Sequence, residues 1–485
     1  MTENKKMDGD KCDPQILKTR EDSEPTHFVA DADKSEKDAP IFILDHEFES
    51  KNSWVSRTGG ESNFSPKDFR PRIEPWLTAL CQSEHLSLLV GTGLTRAVYK
   101  MATDETLSPM DALDSEKFGN KFGKAIDKEA QRMRGKEAPG REKNIEDQIR
   151  AANELLQGLK VQALVDFKLG PLVKELNDHL SAILKNFSEE VLTAEKNILE
   201  GSNRNDAFYY LVSFLMSFGS RTGTRDRLHL FTTNYDRLIE AGAEVAGMRL
   251  LDRFIGNLAP IFHSSRLDVD LHYNPPGIRG EPRYLEGVAR FTKLHGSLDW
   301  VDHERSIRRM ALPFGATDLS RYRQEWKGKS SDEPQLMIYP NAAKDRQTAD
   351  YPFVDLFRDF AAATCRPNHT LVTYGYGFGD DHINRVIADM LTIPSTHLVI
   401  ISYTAPDGYE ELGNSAQVSM LTGNHLGDLQ SLVDYYLPKP AIDKAMLRMT
   451  KLLNDRWGDQ THQTASGAAK NPLSKMFERI GWPKS

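Results

Sequence analysis

The stretch "LHLFTTNYD", residues 228–236, is a short apolar run that breaks off into an asparagine, a tyrosine and an aspartate. Period-two alternation puts Asn234 and Asp236 on one side of a strand that continues, or together just past the end of one that stops. Either way the two polar side chains face one place. Three more runs have the same form: "HLSLLVGTG" (85–93), "TLVTYGYGFGDD" (370–381) and "THLVIISY" (396–403). Near-continuous apolarity suits strands covered on both faces, and helical patterns such as "RLIEAGAEVAG" and "HINRVIADML" follow three of the four. That alternation predicts an α/β fold built on an open parallel sheet. Ligands of such sheets sit outside the carboxyl ends of the strands, where Gly91, Asn234 and Gly375 fall.

Outward from these runs, "RFTKLHGSLDW" (290–300) and "QLMIYPN" (335–341) also look extended, and "RIEPWLTALCQS" (72–83) spaces Ile73, Trp76, Leu77 and Leu80 as a helix does. Residues 1–70 are rich in Lys, Glu, Asp, Ser and Pro. They read as a mobile N-terminal arm, with "APIFIL" (39–44) able to dock as one strand. The main domain is placed at 71–405, interrupted at about 104–226 by a large helical insertion. Within the insertion, "DKEAQRMRGKEAPGREKNIEDQIR" (127–150) reads as a solvated helix face, and "DAFYYLVSFLMSF" (206–218) as a core or interface helix. A C-terminal helical region is placed at 406–485, with its clearest period at "DKAMLRMTKLLND" (443–455).

A chain of 485 residues has room for two or three domains, or for one large domain with insertions. Its net charge of -8 gives no overall basic footprint, so nucleic acid is expected only through a partner. Cys12, Cys81 and Cys365 lie far apart, which supports neither a disulfide framework nor a cysteine zinc site. No run reaches 18 apolar residues and the first residues lack an apolar core, so the expectation is a cytoplasmic protein without a membrane span.

Several residues could carry chemistry. Gly91 and Gly93, between a strand and a helical pattern, would let backbone N–H groups approach phosphate oxygens, although glycine turns after strands are common. Asn234 and Asp236 could equally cap the helix that follows, and a lone His295 is more often structural than basic. Gly375, Gly377 and Gly379 precede two acids, of which Asp380 could meet ribose hydroxyls or cap the next helix.

Taken in order, "VGTG", "TTNYD", "KLHGSLDW" and "YGYGFGDDHINRVI" resemble the sirtuin superfamily, and in particular the sirtuin-like proteins that consume NAD in bacterial anti-phage defence. The resemblance covers roughly residues 75–100 and 226–405 and implies a Rossmann-like sheet. It implies that Gly91, Thr92 and Gly93 hold the NAD pyrophosphate and that Asn234 contacts the nicotinamide ribose and a reacting water. It further implies that Asp236 recognises the carboxamide, that His295 is the base, and that Gly375, Gly377 and Asp380 belong to the second NAD-binding turn. Residues 298–334 contain no cysteine, so the four-cysteine zinc ribbon of deacylase sirtuins has no ligands and no zinc is expected. "GLTRAVYKMA" does not reproduce the deacylase loop, and "VIISYTAP" offers no obvious acid for the adenine ribose.

The activity so implied is an NAD glycohydrolase giving nicotinamide and ADP-ribose, a gated NAD-depleting effector. A neutral leaving group needs little acid catalysis. The protein must orient the ribose, admit one water and supply a base. The resemblance also implies a homo-oligomer and a HerA-type ATPase partner. The alternatives are a regulatory subunit that binds NAD or ADP-ribose without turnover and, further off, an NAD-dependent protein deacylase.

Overall fold

A computed structural model describes residues 14–31, 40–45, 52–56, 63–107, 112–137, 145–221, 226–265, 269–273, 283–303, 306–319, 335–338, 351–406 and 408–438. The chain opens with three strands, β1 (Gln15–Lys18), β2 (Thr26–Ala30) and β3 (Phe42–Leu44). Helix α1 (Pro66–Cys81) leads to β4 (His85–Val90) and α2 (Thr92–Thr103). The insertion follows as α3 (Gly123–Glu137), α4 (Ile145–Ala163), α5 (Gly170–Glu200) and α6 (Arg204–Gly219). Next come β5 (Leu228–Thr232), α7 (Leu238–Ala246) and β6 (Arg249–Leu251).

The short strands β7 (Phe254–Ile255), β8 (Ile261–Phe262), β9 (His272–Tyr273) and β10 (Arg283–Tyr284) precede β11 (Val288–Lys293). The chain then forms β12 (Gly296–His303), β13 (Ser306–Arg309), β14 (Gln335–Ile338), α8 (Phe353–Thr364), β15 (His369–Tyr374), α9 (Asp381–Leu391), β16 (His397–Ser402) and β17 (Val418–Thr422).

Ten strands form one sheet in the order β3-β2-β1-β17-β16-β15-β4-β5-β11-β6. From β17 to β6 every neighbouring pair is parallel. The fold is therefore the α/β class read from the strand runs. Alternate residues of each strand enter different cores, which is why the runs are continuously apolar rather than alternating. Leu88 and Val90 of β4, Val372 and Tyr374 of β15, and Val399 and Ile401 of β16 pack with Ile73, Val98 and Phe214 of α1, α2 and α6. Leu89, Leu371, Leu398 and Ile400 pack on the other face with Phe360 of α8 and with Ile383 and Ile387 of α9.

Strand β4 lies between β5 and β15. The chain leaves it towards β5 and β11 on one side, then returns to β15 on the other. The carboxyl ends of β4 and β15 thus flank the topological switch point of the sheet, where a crevice forms.

Two expectations are corrected. The stretch read as a mobile arm supplies three strands rather than one, and β1 pairs antiparallel with β17 along Ile16–Lys18. Its charged and polar residues mislead, because Lys18 is fully buried with its ammonium on the carbonyls of Ser415 and Val418, and Gln15 accepts from the amides of His425 and Leu426. The boundary at 405 cuts the sheet, since β17 pairs with β16. Residues 439–485, including the helical pattern at 443–455, lie outside the described residues. The insertion packs against the rest of the domain. Its core joins Ile149, Leu180 and Phe187 to Tyr235, Leu298 and Val301. Helix α6 is a core helix of the sheet, as its composition indicates.

Beyond β11 the chain builds a five-stranded sheet in the order β14-β12-β13-β8-β7, with antiparallel pairing. Among the described residues no helix is long and apolar enough to cross a membrane.

Candidate active site

Two glycine turns meet at the switch point. The Gly91 N–H donates to the Tyr374 carbonyl (3.0 Å) and the Gly93 N–H to that of Gly375 (3.0 Å). A Cβ on Gly91 would lie 2.4 Å from the Gly375 oxygen and 2.7 Å from Tyr376 Cα. One on Gly375, whose φ is +58°, would lie 2.5 Å from Gly93 Cα. These glycines are needed so that the turns after β4 and β15 can touch backbone to backbone. Two of the N–H groups expected to face phosphate are spent on that contact. Thr92 is the exposed first residue of α2, and Gly377 is exposed, with nothing among the described residues within 4 Å of where a Cβ would stand.

Asn234 follows β5 and sits against the same turn. Its Nδ2 donates to the Gly91 carbonyl (3.0 Å) and to Thr95 Oγ1 (3.1 Å), while its backbone N–H donates to Thr232 Oγ1 (3.0 Å). Asn234 is only 5% exposed, and its Oδ1 is buried without a hydrogen-bond partner among the described residues. A buried acceptor left unmade costs about 1–3 kcal/mol, and among the described residues nothing donates to this one. Thr95, which the sequence reading passed over, links the pair: its hydroxyl donates to Asp236 Oδ2 (2.7 Å). Asp236 Oδ1 accepts from the Leu238 N–H (3.0 Å), the first of α7, from the position before its N-cap, Arg237.

The loop carrying Asn234 and Asp236 is held from both sides. From β11, Lys293 is 1% exposed and donates to the Asp236 carbonyl and to Glu240 Oε1 (3.0 Å). From the insertion, Phe187 of α5 meets Tyr235 edge-on at 5.5 Å, and Glu195 forms a buried ion pair with Arg237. Burial pushes the Glu195 carboxyl above its ordinary range, and the Arg237 guanidinium pulls against that. Neither Lys293 nor Glu195 stood out in the sequence. A lysine beside "LHG" reads as solvated, and nothing local ties residue 195 to 237.

His295 lies in the turn between β11 and β12, with the neighbouring Leu294 N–H on the Thr232 carbonyl (2.8 Å). Its ring is 6.2 Å from that of Tyr235, and its Nε2 is 2.7 Å from Asp380 Oδ2. Asp380 also caps α9 through the His382 N–H (3.2 Å). Its loop is tied down by Asn384, which donates to the Phe378 carbonyl (2.7 Å), and by Tyr376, whose hydroxyl donates to the Asp380 carbonyl (3.3 Å). Phe378 adopts the left-handed φ of +52°, a conformation held by those contacts. The turns after β4, β5, β11 and β15 therefore bring Gly91, Gly93, Thr95, Asn234, Asp236, His295, Gly375 and Asp380 to one end of the sheet. Among the described residues no group of three or more His, Cys, Asp or Glu side chains could hold a metal ion; residues 320–334 of the cysteine-free stretch lie outside them.

Residues 228–419 match the family model of the SIR2-like domain, a span that starts at β5 and therefore leaves the Gly91 turn outside it. Over that span the chain is similar to SIR2-like domains. One similar solved structure is described as "The Structural basis of Sirtuin Substrate Affinity". It shares 10% identity, covers 78% of this chain and 98% of its own, and has a TM-score of 0.31. No curated protein matches the sequence.

Proposed function

We propose that this chain is an NAD glycohydrolase, releasing nicotinamide and ADP-ribose from NAD at the switch point of its sheet. The observation that carries the reading is the buried Asn234 Oδ1, without a donor among the described residues, just past β5, the strand between β4 and β11. Its two amide protons are engaged inside the protein, so the side chain cannot rotate to satisfy the oxygen without breaking bonds to Gly91 and Thr95. A ribose hydroxyl or a water supplies the missing donor.

In this reading Asn234 orients the ribose and the attacking water. The glycosidic bond breaks with its electron pair going to nicotinamide, the water oxygen bonds to the ribose carbon, and His295 takes the water proton. Gly91, Thr92, Gly93, Gly375 and Gly377 line the pyrophosphate side, and Asp236 lies at the carboxamide end. No zinc takes part. The resemblance extends the proposal to a gated, NAD-depleting effector of anti-phage defence, cytoplasmic and homo-oligomeric, working with a HerA-type ATPase partner.

The test is nicotinamide release from NAD by the purified chain beside His295→Ala, with and without the candidate partner. Release in the wild type that vanishes in the variant is the expected result. NAD binding by calorimetry with no release under any condition would replace the reading with that of a non-catalytic NAD-binding subunit.

A further inference from the structure

We infer that Asp380 is a positioning residue that holds His295 in the tautomer protonated on Nε2, so that the ring atom receiving the water proton is Nδ1. The inference rests on the NAD hydrolase reading for its catalytic consequence. Its structural half stands independently.

Capping α9 needs one carboxylate oxygen, and Oδ1 does it by accepting from the His382 N–H. The other oxygen, Oδ2, is turned to His295 Nε2 at 2.7 Å, and the Asp380 and His295 side chains are 6% and 9% exposed. A carboxylate only accepts hydrogen bonds, so the ring nitrogen facing it carries the hydrogen. The remaining ring nitrogen, Nδ1, keeps its lone pair. Asp380 is itself held on a loop fixed by Tyr376 and Asn384, and the ring is backed by Tyr235. Tautomer and ring orientation are therefore set before substrate arrives. A third group that orients a base in this way recurs wherever imidazole must take a proton at one defined atom. The sequence reading placed Asp380 at a ribose hydroxyl or at a helix start. The structure places Oδ1 at the helix start and Oδ2 on the His295 ring.

The experiment combines a spectroscopic and a kinetic readout on the full chain. With 15N-labelled histidine in neutral to alkaline buffer, the resonances missing from His295→Ala identify the ring. The expected pattern is a protonated Nε2 and a bare Nδ1. The Asp380→Asn variant keeps a good N-cap, so α9 still starts there. Its amide can donate to Nε2 and moves the hydrogen to Nδ1. Loss of the Nε2–H signal is expected, with kcat lower by on the order of a hundredfold and KM within about twofold.

A wild-type ring protonated on Nδ1 would overturn the inference, as would an Asp380→Asn enzyme with unchanged kcat. If Asp380→Asn fails to fold, the wild-type spectrum alone decides. Should the wild type release no nicotinamide at all, the hydrolase reading fails and the spectrum still tests the tautomer.

Discussion

Replacing Arg237 by methionine should cost about 3–5 kcal/mol of stability, with a deficit that shrinks as pH falls. Arg237 donates to both Glu195 oxygens and to the carbonyls of Leu312 and Pro313, and Glu195 is buried on α5. Methionine strands the carboxylate. The cheapest escape is protonation, which from the ordinary value of 4.5 costs about 3.4 kcal/mol near pH 7. Loss of donors to the two carbonyls adds roughly 1 kcal/mol each, partly offset by the apolar replacement. The sign follows from proton counting. In the variant the folded state holds Glu195 protonated while the unfolded chain ionises it, so the folded state binds the extra proton and loses stability as pH rises. Above the raised range in which wild-type Glu195 itself titrates, the gap to wild type therefore widens by at most about 1.4 kcal/mol per pH unit. Urea unfolding followed by circular dichroism across that range measures it, with Arg237→Met/Glu195→Leu as the partner variant that recovers most of the loss. A deficit below about 1 kcal/mol, or one flat with pH, refutes the picture of a charge pair that clamps the Asn234 loop to the insertion.

Gly375→Ala should lower stability by about 1–3 kcal/mol and weaken NAD binding, because its Cβ meets Gly93 backbone at 2.5 Å and its φ is +58°. Gly377→Ala, in the same turn with open space around it, should stay within about 0.5 kcal/mol in the same thermal melts. Asn234→Ala should cut nicotinamide release on the order of a hundredfold, and full activity in an initial-rate assay would remove Asn234 from the site. Burial holds His369 down at about 3, and among the described residues neither ring nitrogen has a hydrogen-bond partner. The unfolded chain takes that proton near 6.5 and the folded one does not, so stability drains as pH falls from 6.5 towards 3. His369→Leu should flatten that stretch of the stability-versus-pH curve.

The parallel core was legible because each strand is covered on both faces, which writes a continuous apolar run into the local sequence. The runs 85–93, 228–236, 370–381 and 396–403 became β4, β5, β15 and β16. Strand β17, "VSMLT", was passed over because a serine at its second position broke the run; that Ser419 hydroxyl is buried against His397. β1 and β2 were lost among charged neighbours for the same reason. A buried lysine or glutamine with backbone carbonyls and amides for partners looks, in sequence, like one in water.

Local chemistry in the sequence was enough to determine which residues stand at strand ends: the glycines where two turns had to touch, Asn234 and Asp236 past β5, and His295 past β11. Only the tertiary structure decided what each of them faces. His295 and Asp380 are 85 positions apart, and Thr95 and Asp236 are 141 apart. No periodicity spans such distances. Chain order and hydrophobic pattern act over a turn or a strand, whereas a hydrogen bond between separate turns exists only once the sheet has stacked β15, β4, β5 and β11 side by side.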